Sequence, residues 1–257
     1  MRTPTAAMTT VGPWRVLDYE VVDSTHDVAA SLDIWHAVRA RRQTAGRGRF
    51  QRTWVSDEGG LWLSAVVPLP THIPGWEALP LVAGWVVVET VRALGVSGLR
   101  MRWPNDIMVG SRKLAGLLVE RPSVDRAVIG IGLNVTNTPV SQNNALECCV
   151  ARLAEVMKLP PPSLSDLTAR LLDGLRTAVG ELHAGGFAAF TERVNALWRR
   201  PSAVQLDLDG RSVCGWFEGI TETGAIRLAE DGGTRSTFLA HQVTQLKELE
   251  IELEKEP

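Results

Sequence analysis

The feature that most constrains this chain is a short basic segment, Gln-Thr-Ala-Gly-Arg-Gly-Arg at residues 43–49, in which two glycines alternate with two arginines. Glycine permits positive φ angles and lets the backbone approach a ligand closely. Arginine carries a permanent charge on a planar fork that suits carboxylate and phosphate groups. A loop of this composition can fold over an anion and hold it through backbone N–H and guanidinium groups together. A solvated basic turn, or an arginine/glycine tract that binds nucleic acid, would look the same, so the rest of the chain must decide.

Composition limits the classes of protein that remain. A chain of 257 residues has room for one large domain plus a small one, or for a single α/β domain. Its hydrophobic content of 45% and charged content of 22% are ordinary for a globular protein with a real core. The net charge is −2, so no global field draws the protein to DNA or to a membrane. The basic segment is therefore a local feature.

Three observations predict a cytoplasmic protein without a membrane anchor. The three cysteines form no Cys-x-x-Cys spacing and no framework, as expected in a reducing compartment. The first ten residues contain no apolar run of the kind that secretion signals carry. The most apolar stretch, at 79–88, contains Pro80 and is too short to span a bilayer.

Strand and helix patterns follow one another over the first two hundred residues. Residues 1–13 are expected to be a loose lead-in. The side-chain oxygens of Asp23, Ser24 and Thr25 suit the cap of a following helix, and on the residues alone capping is the favoured role of Ser24 and Thr25. Strands are predicted at 14–22, 34–41, 61–67, 107–109, from 113 onwards and at 127–133, and helices at 26–32, 77–94, 145–157, 164–183 and 187–198.

The pattern changes after Arg200-Pro201. From Ser202 the chain shows short alternating segments separated by glycine-containing turns, and five strands in about fifty residues predict a small β-barrel. We expect domains at 14–200 and 201–247, followed by a frayed acidic tail at 248–257.

A second informative stretch covers residues 100–120. Gly110-Ser111 predicts a hairpin turn that leads into an apolar run beginning near Lys113. A lysine in such a run is partly buried, which is costly unless its ammonium group faces an anion. A purely structural pairing of Lys113 with Asp106 is the alternative, and it is compatible with a catalytic role.

Taken together, five segments of the chain resemble those of biotin protein ligases, in the order and with the spacing of that family. They are Asp-Ser-Thr at 23–25, Gln-Thr-Ala-Gly-Arg-Gly-Arg at 43–49, Arg-Trp-Pro-Asn-Asp at 102–106, Arg-Lys-Leu-Ala-Gly at 112–116 and Gly-Ile-Gly-Leu-Asn at 130–134. The resemblance implies an α+β fold, in which a mixed sheet flanked by helices, as in biotin and lipoate ligases, precedes a small SH3-like β-barrel. Members that also repress transcription carry an N-terminal DNA-binding domain, and the 13 residues before Trp14 are too few for one, so the ligase-only form is expected. Gln51 and Thr53 depart from the family, where many members have glycine and a basic or small residue, and residues 137–144 have no counterpart that we can match.

The resemblance also implies a reaction, its cofactors and its partners. The carboxylate of biotin attacks the α-phosphorus of ATP, giving biotinoyl-5′-AMP and pyrophosphate. A lysine of a biotin carboxyl carrier protein then attacks the acyl carbon. Biotin, ATP and Mg²⁺ are the expected small molecules, a carrier domain of a carboxylase is the expected partner, DNA binding is not expected, and the protein is expected to be a monomer or homodimer.

The same resemblance assigns the site residues. Lys113, Arg49 and Asp106 are the expected catalytic residues, with Lys113 bridging the carboxylate and the α-phosphate. Asp106 either carries Mg²⁺ or orients Lys113. By resemblance, Ser24, Thr25 and Gln43 bind the ureido ring of biotin, which replaces the capping role favoured above. The full biotin set is Ser24, Thr25, Gln43, Gly46, Arg47, Gly48, Arg49, Trp54, Lys113 and Gly116, and the nucleotide set is Arg47, Arg49, Asn105, Lys113 and Asn134.

Two other functions compete with this interpretation. A lipoate ligase or another acyl-adenylate-forming ligase would share the fold and most of the charged residues. A small nucleic-acid-binding protein could use the glycine–arginine segment and the C-terminal strands as its surface. The net charge of −2 and the expected burial of Lys113 argue against the second of these.

Overall fold

An eight-stranded mixed sheet forms the larger part of the protein. The structure is a computed structural model that describes residues 6–69, 76–137, 150–198, 203–230 and 232–249. The sheet has the order β1-β2-β3-β4-β8-β7-β6-β5, and every neighbouring pair is antiparallel except β2 and β3, which are parallel. Its strands are Ala7–Val11 (β1), Trp14–Val22 (β2), His36–Gln43 (β3), Leu61–Pro68 (β4), Leu99–Arg102 (β5), Asp106–Val109 (β6), Arg112–Ser123 (β7) and Arg126–Leu133 (β8).

Helices cover the two faces of this sheet unequally. On one face α2, α4 and α5 pack together over a large core. On the other face α1 contacts β3, β4 and β8 through a small cluster that includes Val38, Val66 and Val128. Part of that second face is therefore left for a cavity. The helices are Thr25–Ala30 (α1), Leu79–Ala93 (α2), Leu153–Val156 (α3), Leu164–Gly185 (α4) and Ala188–Asn195 (α5), and a 3₁₀ turn, Trp76–Ala78, precedes α2.

Local sequence explains the two best-defined core elements. Strand β4 is buried from Leu61 to Val67, which accounts for its unbroken apolar run between β3 and β8. The 22-residue helix α4 begins where the Ser163 hydroxyl accepts a hydrogen bond from the backbone N–H of Asp166. Its buried leucines recur every three or four residues, the spacing of a core-facing stripe. The strand at 61–67 and the helix at 164–183 were therefore predicted correctly.

The C-terminal sheet has five antiparallel strands in the order β12-β11-β10-β9-β13. These strands are Ala203–Leu208 (β9), Arg211–Ile220 (β10), Ile226–Glu230 (β11), Arg235–Phe238 (β12) and Gln245–Glu248 (β13). The prediction of five short strands is confirmed. In the described residues, however, β12 and β13 are the two edges of an open sheet, so the closed barrel that was predicted is not formed.

Hydrogen bonds and a stacked ring pair are among the contacts that attach the C-terminal sheet to the rest of the protein. Asn195 donates to the carbonyl of Ile220 at 3.1 Å and accepts from its N–H at 2.7 Å. The indole N–H of Trp103 donates to the carbonyl of Gly224 at 3.0 Å. Trp198 and Phe217 stack with ring centroids 4.0 Å apart. Strand β13, at the other edge of this sheet, lines the cavity described below.

Several sequence predictions need correction. Residues 7–11, expected in a loose lead-in, form β1, because the Gly12-Pro13 turn returns the chain to pair Val11 with Trp14. Helix α1 begins at Thr25 with Ser24 at its N-cap position, but the side chain of Ser24 makes no capping hydrogen bond. Strand β13 includes Glu248, which was assigned to the tail. Of the helix predicted at 145–157, residues 145–149 lie outside the described residues, and the rest contains only the single turn of α3.

None of the helices in the described ranges combines the length and apolar character needed to cross a membrane.

Candidate active site

A cavity of about 1160 Å³ lies on the face of the large sheet that α1 leaves open. Ser64 and Gly130 contribute to its floor, and they face the same way as Val66 and Val128 two residues along the same strands. Other sides are lined by residues 47–49 of the glycine–arginine segment, which we call the glycine–arginine loop, and by the segment Thr244–Leu249, which contains β13. Except for Gly46, every residue predicted for the site lines this cavity: Ser24, Thr25, Gln43, Arg47, Gly48, Arg49, Trp54, Asn105, Asp106, Lys113, Gly116 and Asn134.

One end of the cavity is built from neutral hydrogen bonds. The N–H and the hydroxyl of Thr25 both donate to Gln43 Oε1, at 2.8 and 3.0 Å. Because the Thr25 hydroxyl uses its proton there, the contact of 2.8 Å with Ser64 is one in which Ser64 donates. Gln43 Nε2 donates to the Ser56 hydroxyl at 2.7 Å, and Ser56 donates to the Trp54 carbonyl at 2.9 Å. We call this end the neutral end.

Ser24 differs from its neighbours at the neutral end. Its side chain is buried, with 1% exposure, and its hydroxyl has no hydrogen-bond partner in the described part of the chain. Buried polar atoms are usually satisfied, so an unpaired one that lines a cavity indicates a ligand contact. The structure thus leaves Ser24 available to a ligand, while Thr25 and Gln43 are oriented by each other.

Small residues beneath Trp54 shape the same region. A Cβ atom on Gly132 would lie 2.5 Å from the indole nitrogen of Trp54, and one on Gly116 would lie 2.9 Å from the same ring. Gly46 is required for a similar reason, because a Cβ atom there would meet the Trp54 carbonyl at 2.4 Å. Glycine at these positions allows the indole to lie against the sheet and the loop to pass close to it.

The opposite end of the cavity is charged. Asp106 lies between two cations, with Oδ1 2.5 Å from Lys113 Nζ and Oδ2 2.7 Å from Arg102. Burial raises the pKa of the Asp106 carboxyl, but Lys113 and Arg102 outweigh that effect and hold the pKa below its usual range. Lys113 also lies 4.9 Å from the centre of the Trp54 ring, a cation–π distance. We call this end the charged end.

A strand irregularity places Lys113 and Gly116 on the same side of the sheet. Side chains alternate along a regular strand, so residues three apart would face opposite ways. The pairing of β6 with β7 shifts register, because Met108 pairs with Lys113 while the preceding Ile107 pairs with Ala115. Leu114 is thereby the extra, buried residue of a bulge. Both Lys113 and Gly116 then line the cavity.

The glycine–arginine loop is held from two directions. Arg47 pairs with Asp27, and its terminal nitrogens lie 3.3 and 3.5 Å from the carboxylate of Glu120. Arg49 instead donates to the carbonyls of Ala240 and Val243 at 2.5 and 3.1 Å, in the C-terminal part of the chain. Burial lowers the pKa of Arg49 to about 10, with Asp106 opposing the shift, so this guanidinium is charged at neutral pH.

The end of the loop adopts a backbone conformation that side chains disfavour. Phe50 and Gln51 have φ angles of 54° and 59°, in the left-handed region. Glycine reaches this region without steric cost, whereas Phe50 and Gln51 adopt it at some cost. Phe50 remains 48% exposed.

The two asparagines predicted to bind nucleotide already have protein partners. The Asn105 amide donates to the carbonyl of Leu117 at 2.8 Å. The side-chain oxygen Oδ1 of Asn134 accepts from the Asn137 amide at 3.0 Å. Both line the cavity, but only part of their hydrogen-bonding capacity is left for a ligand.

The residues that the structure describes do not form a metal site of their own. Within the described ranges there is no group of three or more His, Cys, Asp or Glu side chains that could hold a metal ion. Asp106 was predicted either to carry Mg²⁺ or to orient Lys113, and both of its oxygens pair with cations. This geometry favours the orienting role.

Sequence reasoning missed several residues of the site. Ser56 and Ser64 complete the neutral end, Arg102 flanks Asp106, and Asp27 and Glu120 hold Arg47. A signal existed for Arg102, which belongs to the same Arg-Trp-Pro-Asn-Asp segment as Asp106. The other four side chains meet their partners across strands or helices that are distant in sequence.

Comparison with known proteins places the chain in a family. The bifunctional ligase/repressor BirA of Escherichia coli strain K12 is 32% identical over 224 residues, which cover 82% of this chain and 68% of that protein. The chain belongs to the biotin/lipoate A/B protein ligase family. The model of that family matches residues 19–134.

Two further relatives of the family are informative. The biotin–[acetyl-CoA-carboxylase] ligase of Mycobacterium tuberculosis is 39% identical over 144 residues, covering 49% of this chain and 52% of that protein. The solved structure of biotin protein ligase from Aquifex aeolicus in complex with biotin and ATP superposes with a TM-score of 0.80 at 25% identity, covering 91% of this chain and 99% of that one. The family match ends at Asn134, so it includes Arg49 but not Ala240 and Val243, whose carbonyls Arg49 contacts.

Proposed function

We propose that this protein attaches biotin to a specific lysine of a biotin carboxyl carrier protein, using ATP and passing through biotinoyl-5′-AMP. The single observation that carries the proposal is the pairing of two chemically different ends in one cavity. The neutral end suits the ureido ring of biotin, and Lys113 at the charged end suits the carboxylate and phosphate groups that react. Membership of the biotin/lipoate ligase family supports the same activity.

The first step brings two anions together, and the cation at the charged end offsets their repulsion. Two unit charges 4 Å apart repel by about 4 kcal/mol at an effective dielectric near 20, and a phosphate group adds to this. A cation placed between them lowers the barrier, because positioning and electrostatic stabilisation dominate such reactions. Lys113 serves this role, since a point charge on a flexible stem can contact two oxygens at once. Asp106 keeps the ammonium group at the floor of the cavity until the ligands arrive.

The arginines of the loop complete the binding of the intermediate. Arg47 pairs with Asp27 of α1, and Arg49 contacts the carbonyls of Ala240 and Val243, so we expect the two to reach the adenylate from different directions. The mixed anhydride of biotin and AMP is destroyed by water, and a loop that covers it until the carrier docks protects it. Biotinoyl transfer then releases AMP as the carrier lysine attacks the acyl carbon.

Mg²⁺ is expected from the family resemblance, but the side chains described above do not fit a protein-held ion. Both oxygens of Asp106 are used by Lys113 and Arg102. We therefore assign no step of the reaction to a metal bound by this chain.

The organisation of the whole protein is part of the proposal. We propose a catalytic domain at 14–200 and a C-terminal domain at 201–247 of SH3-like type. Its chain path supports that type, since β9 to β12 run as a meander and β13 returns to pair with β9. The proposed partner is the carrier domain of a carboxylase, and the proposed location is the cytoplasm. DNA binding is not part of the proposed activity. The protein is proposed to act as a monomer or homodimer.

Pyrophosphate exchange tests the proposed activity. Purified protein is incubated with ATP and labelled pyrophosphate, and with either biotin or lipoate as the acid. We expect exchange with biotin and little with lipoate, and mass spectrometry should detect co-purified biotin or biotinoyl-AMP. Exchange with lipoate alone would identify the related acyl ligase. Salt-sensitive retention of nucleic acid on a filter, without exchange, would favour the binding protein.

A further inference from the structure

The side chain of Arg47 is held at one edge and unpaired at the other. Its terminal nitrogens contact the carboxylates of Asp27 and Glu120. Its Nε–H is buried and has no hydrogen-bond partner in the described part of the chain. An anion that contacts a guanidinium commonly takes two adjacent N–H groups, and here Nε is the donor that the protein leaves unused. Since Arg47 lines the cavity, we take this unused donor to be the one that a bound anion would contact.

Glu120 is itself held from behind by a buried histidine. His26 Nε2 lies 3.1 Å from Glu120 Oε2, the same oxygen that is 3.3 Å from Arg47. The two atoms are in close polar contact, although the direction of the contact is not that of a well-aligned hydrogen bond. The contact with His26, opposed by burial and aided by the charge of Arg47, holds the pKa of the Glu120 carboxyl below its usual range. Glu120 is therefore an anion at neutral pH.

A glycine allows the histidine to take this position. The side chain of His26 is 5% exposed. A Cβ atom on Gly130 would lie 3.0 Å from His26 Nδ1, tighter than an ordinary contact. The imidazole is thus packed directly on the backbone of β8. A continuous row of contacts runs from Gly130 through His26 and Glu120 to Arg47, joining β8, α1, β7 and the loop.

We propose that Glu120, supported by His26, is a positioning residue that fixes Arg47 so that its Nε–H faces the anionic group of biotin or of the adenylate. The proposal rests on the proposed function, in which Arg47 contacts that ligand. Glu120 touches neither substrate; it acts through Arg47 alone. A carboxylate that merely stabilised the loop would affect folding, but its effect on ligand affinity would not depend on Arg47.

A double-mutant cycle tests this dependence. Calorimetry measures the affinity for biotin, and for the non-hydrolysable ester biotinol-5′-AMP, of the wild type, Glu120→Gln, Arg47→Ala and the double variant. In the wild-type background we expect Glu120→Gln to lower the affinity for at least one of the two ligands about three- to tenfold, since it loosens a charge-assisted contact. In the Arg47→Ala background the same change should alter affinity less than about twofold, because interacting residues are not additive.

Two further variants complete the design. Glu120→Asp keeps the charge and should recover part of the lost affinity. Asp18→Asn is the matched control, since Asp18 pairs with Arg39 at 2.5 Å on the same sheet but outside the cavity, and it should leave ligand affinity unchanged. In pyrophosphate exchange, Glu120→Gln should raise KM for the affected ligand more than it lowers kcat.

Each contrary result has a distinct meaning. Unchanged or tighter binding of both ligands by Glu120→Gln would overturn the proposal. A loss of equal size with and without Arg47 would overturn it as well, because Glu120 would then act by another route. If the wild type binds neither biotin nor the ester, the proposed function fails, and the failure is visible before any variant is compared.

Discussion

The neutral end and the charged end of the cavity satisfy their polar groups in different ways. At the neutral end, Thr25, Gln43, Ser56 and Ser64 are oriented by uncharged hydrogen bonds to one another. The Ser24 hydroxyl has no partner among the described residues. At the charged end, the anion Asp106 is shared by the cations Lys113 and Arg102. One end is prepared for a ligand as it stands. The other must exchange a protein partner for a ligand.

This difference follows from what burial costs. A neutral hydroxyl or amide is stable in a cavity if it has a hydrogen-bond partner, and a relay of such groups stays fixed without a ligand. A lysine facing a partly buried cavity needs an anion, because an unpaired buried charge is costly. Asp106 supplies that anion in the absence of substrate. We infer that biotin is recognised by the neutral end, which is preformed. Catalysis depends on the charged end, where Lys113 exchanges its contact with Asp106 for a contact with the ligands.

The largest effect should come from removing the positive charge of Lys113. Lys113→Ala should slow adenylate formation about a hundred- to thousandfold, since it removes the electrostatic stabiliser of the first step. Biotin binding should weaken far less, because the neutral end is untouched. Lys113→Arg should also be poor, as a planar fork replaces a point charge. Pyrophosphate exchange measures the rate, and calorimetry with biotin measures binding.

Arg102 remains beside Asp106 in Lys113→Ala, so the fold should persist, and circular dichroism checks this. Pyrophosphate exchange at the wild-type rate in Lys113→Ala would show that Lys113 has no role in the reaction.

The next largest effect concerns Arg49, which joins the loop to the C-terminal carbonyls. Arg49→Gly removes a charge-assisted contact worth roughly 1.5–3 kcal/mol, or about ten- to hundredfold in the escape rate of the adenylate. Lys113 and Arg47 remain, so the adenylate should still form and then leave. Free biotinoyl-AMP acylates exposed lysines, and incubation with ATP, biotin and serum albumin should label the albumin. A streptavidin blot measures the label.

Arg52→Gly is the matched control, because Arg52 is exposed and, among the described residues, its side chain donates to the Thr244 carbonyl at 3.4 Å. It should label albumin less than Arg49→Gly does. If neither variant labels albumin and both transfer biotin normally, Arg49 has no part in retaining the adenylate.

Asp106→Asn tests whether the charged end depends on its anion. Because the pKa of Asp106 is lowered in the folded state, its contribution to stability is complete above the unfolded pKa of about 3.9 and is lost as the pH falls through the lower folded value. We expect the variant to be about 1–3 kcal/mol less stable than wild type at pH 7, as for hydrogen bonds to a charged group. The difference should shrink below about pH 4. Urea unfolding at pH 7 and pH 3 measures both values, and an equal difference at the two would contradict the ion pairing.

The smallest effect should come from the neutral end. Ser64→Ala removes one neutral hydrogen bond to Thr25, worth about 0.5–1.5 kcal/mol, so KM for biotin should rise about two- to tenfold. Exchange at saturating biotin should be unchanged, since the charged end is intact. Ser31→Ala, which removes an exposed hydroxyl that donates to the Val28 carbonyl, should change neither quantity. A fall in the saturated rate of Ser64→Ala, with KM unchanged, would contradict the division into two ends.

Short-range features of the fold and site were predictable from the residues. The hairpin after Val109 follows from Gly110, whose φ is 60°, and the buried strand at 61–67 follows from its apolar run. The contact of Lys113 with Asp106 follows from a lysine in an apolar strand near an acidic residue. In each of these cases one segment contains both the signal and the structure it produces.

Other features depended on the packed molecule. Whether Ser24 caps α1 or faces the cavity could not be decided locally, because both roles use the same hydroxyl at the same helix end. The short strand β1 lacked an apolar pattern, since its residues are mostly exposed and are ordered by pairing with β2. The bulge at Leu114 depends on the pairing with β6, which a single strand does not reveal.

The sequence by itself determined which chemical groups are present, the loop that carries Arg47 and Arg49, and the order of most of the strands and helices. Only the tertiary structure decided which groups meet: Ser64 with Thr25, Glu120 with Arg47, and Arg49 with the carbonyls of Ala240 and Val243. The physical reason is that residue type and periodicity act over a few positions along the chain. A serine, a glutamate or a backbone carbonyl can accept many partners of nearly equal energy, and the packing of distant strands and helices selects one of them.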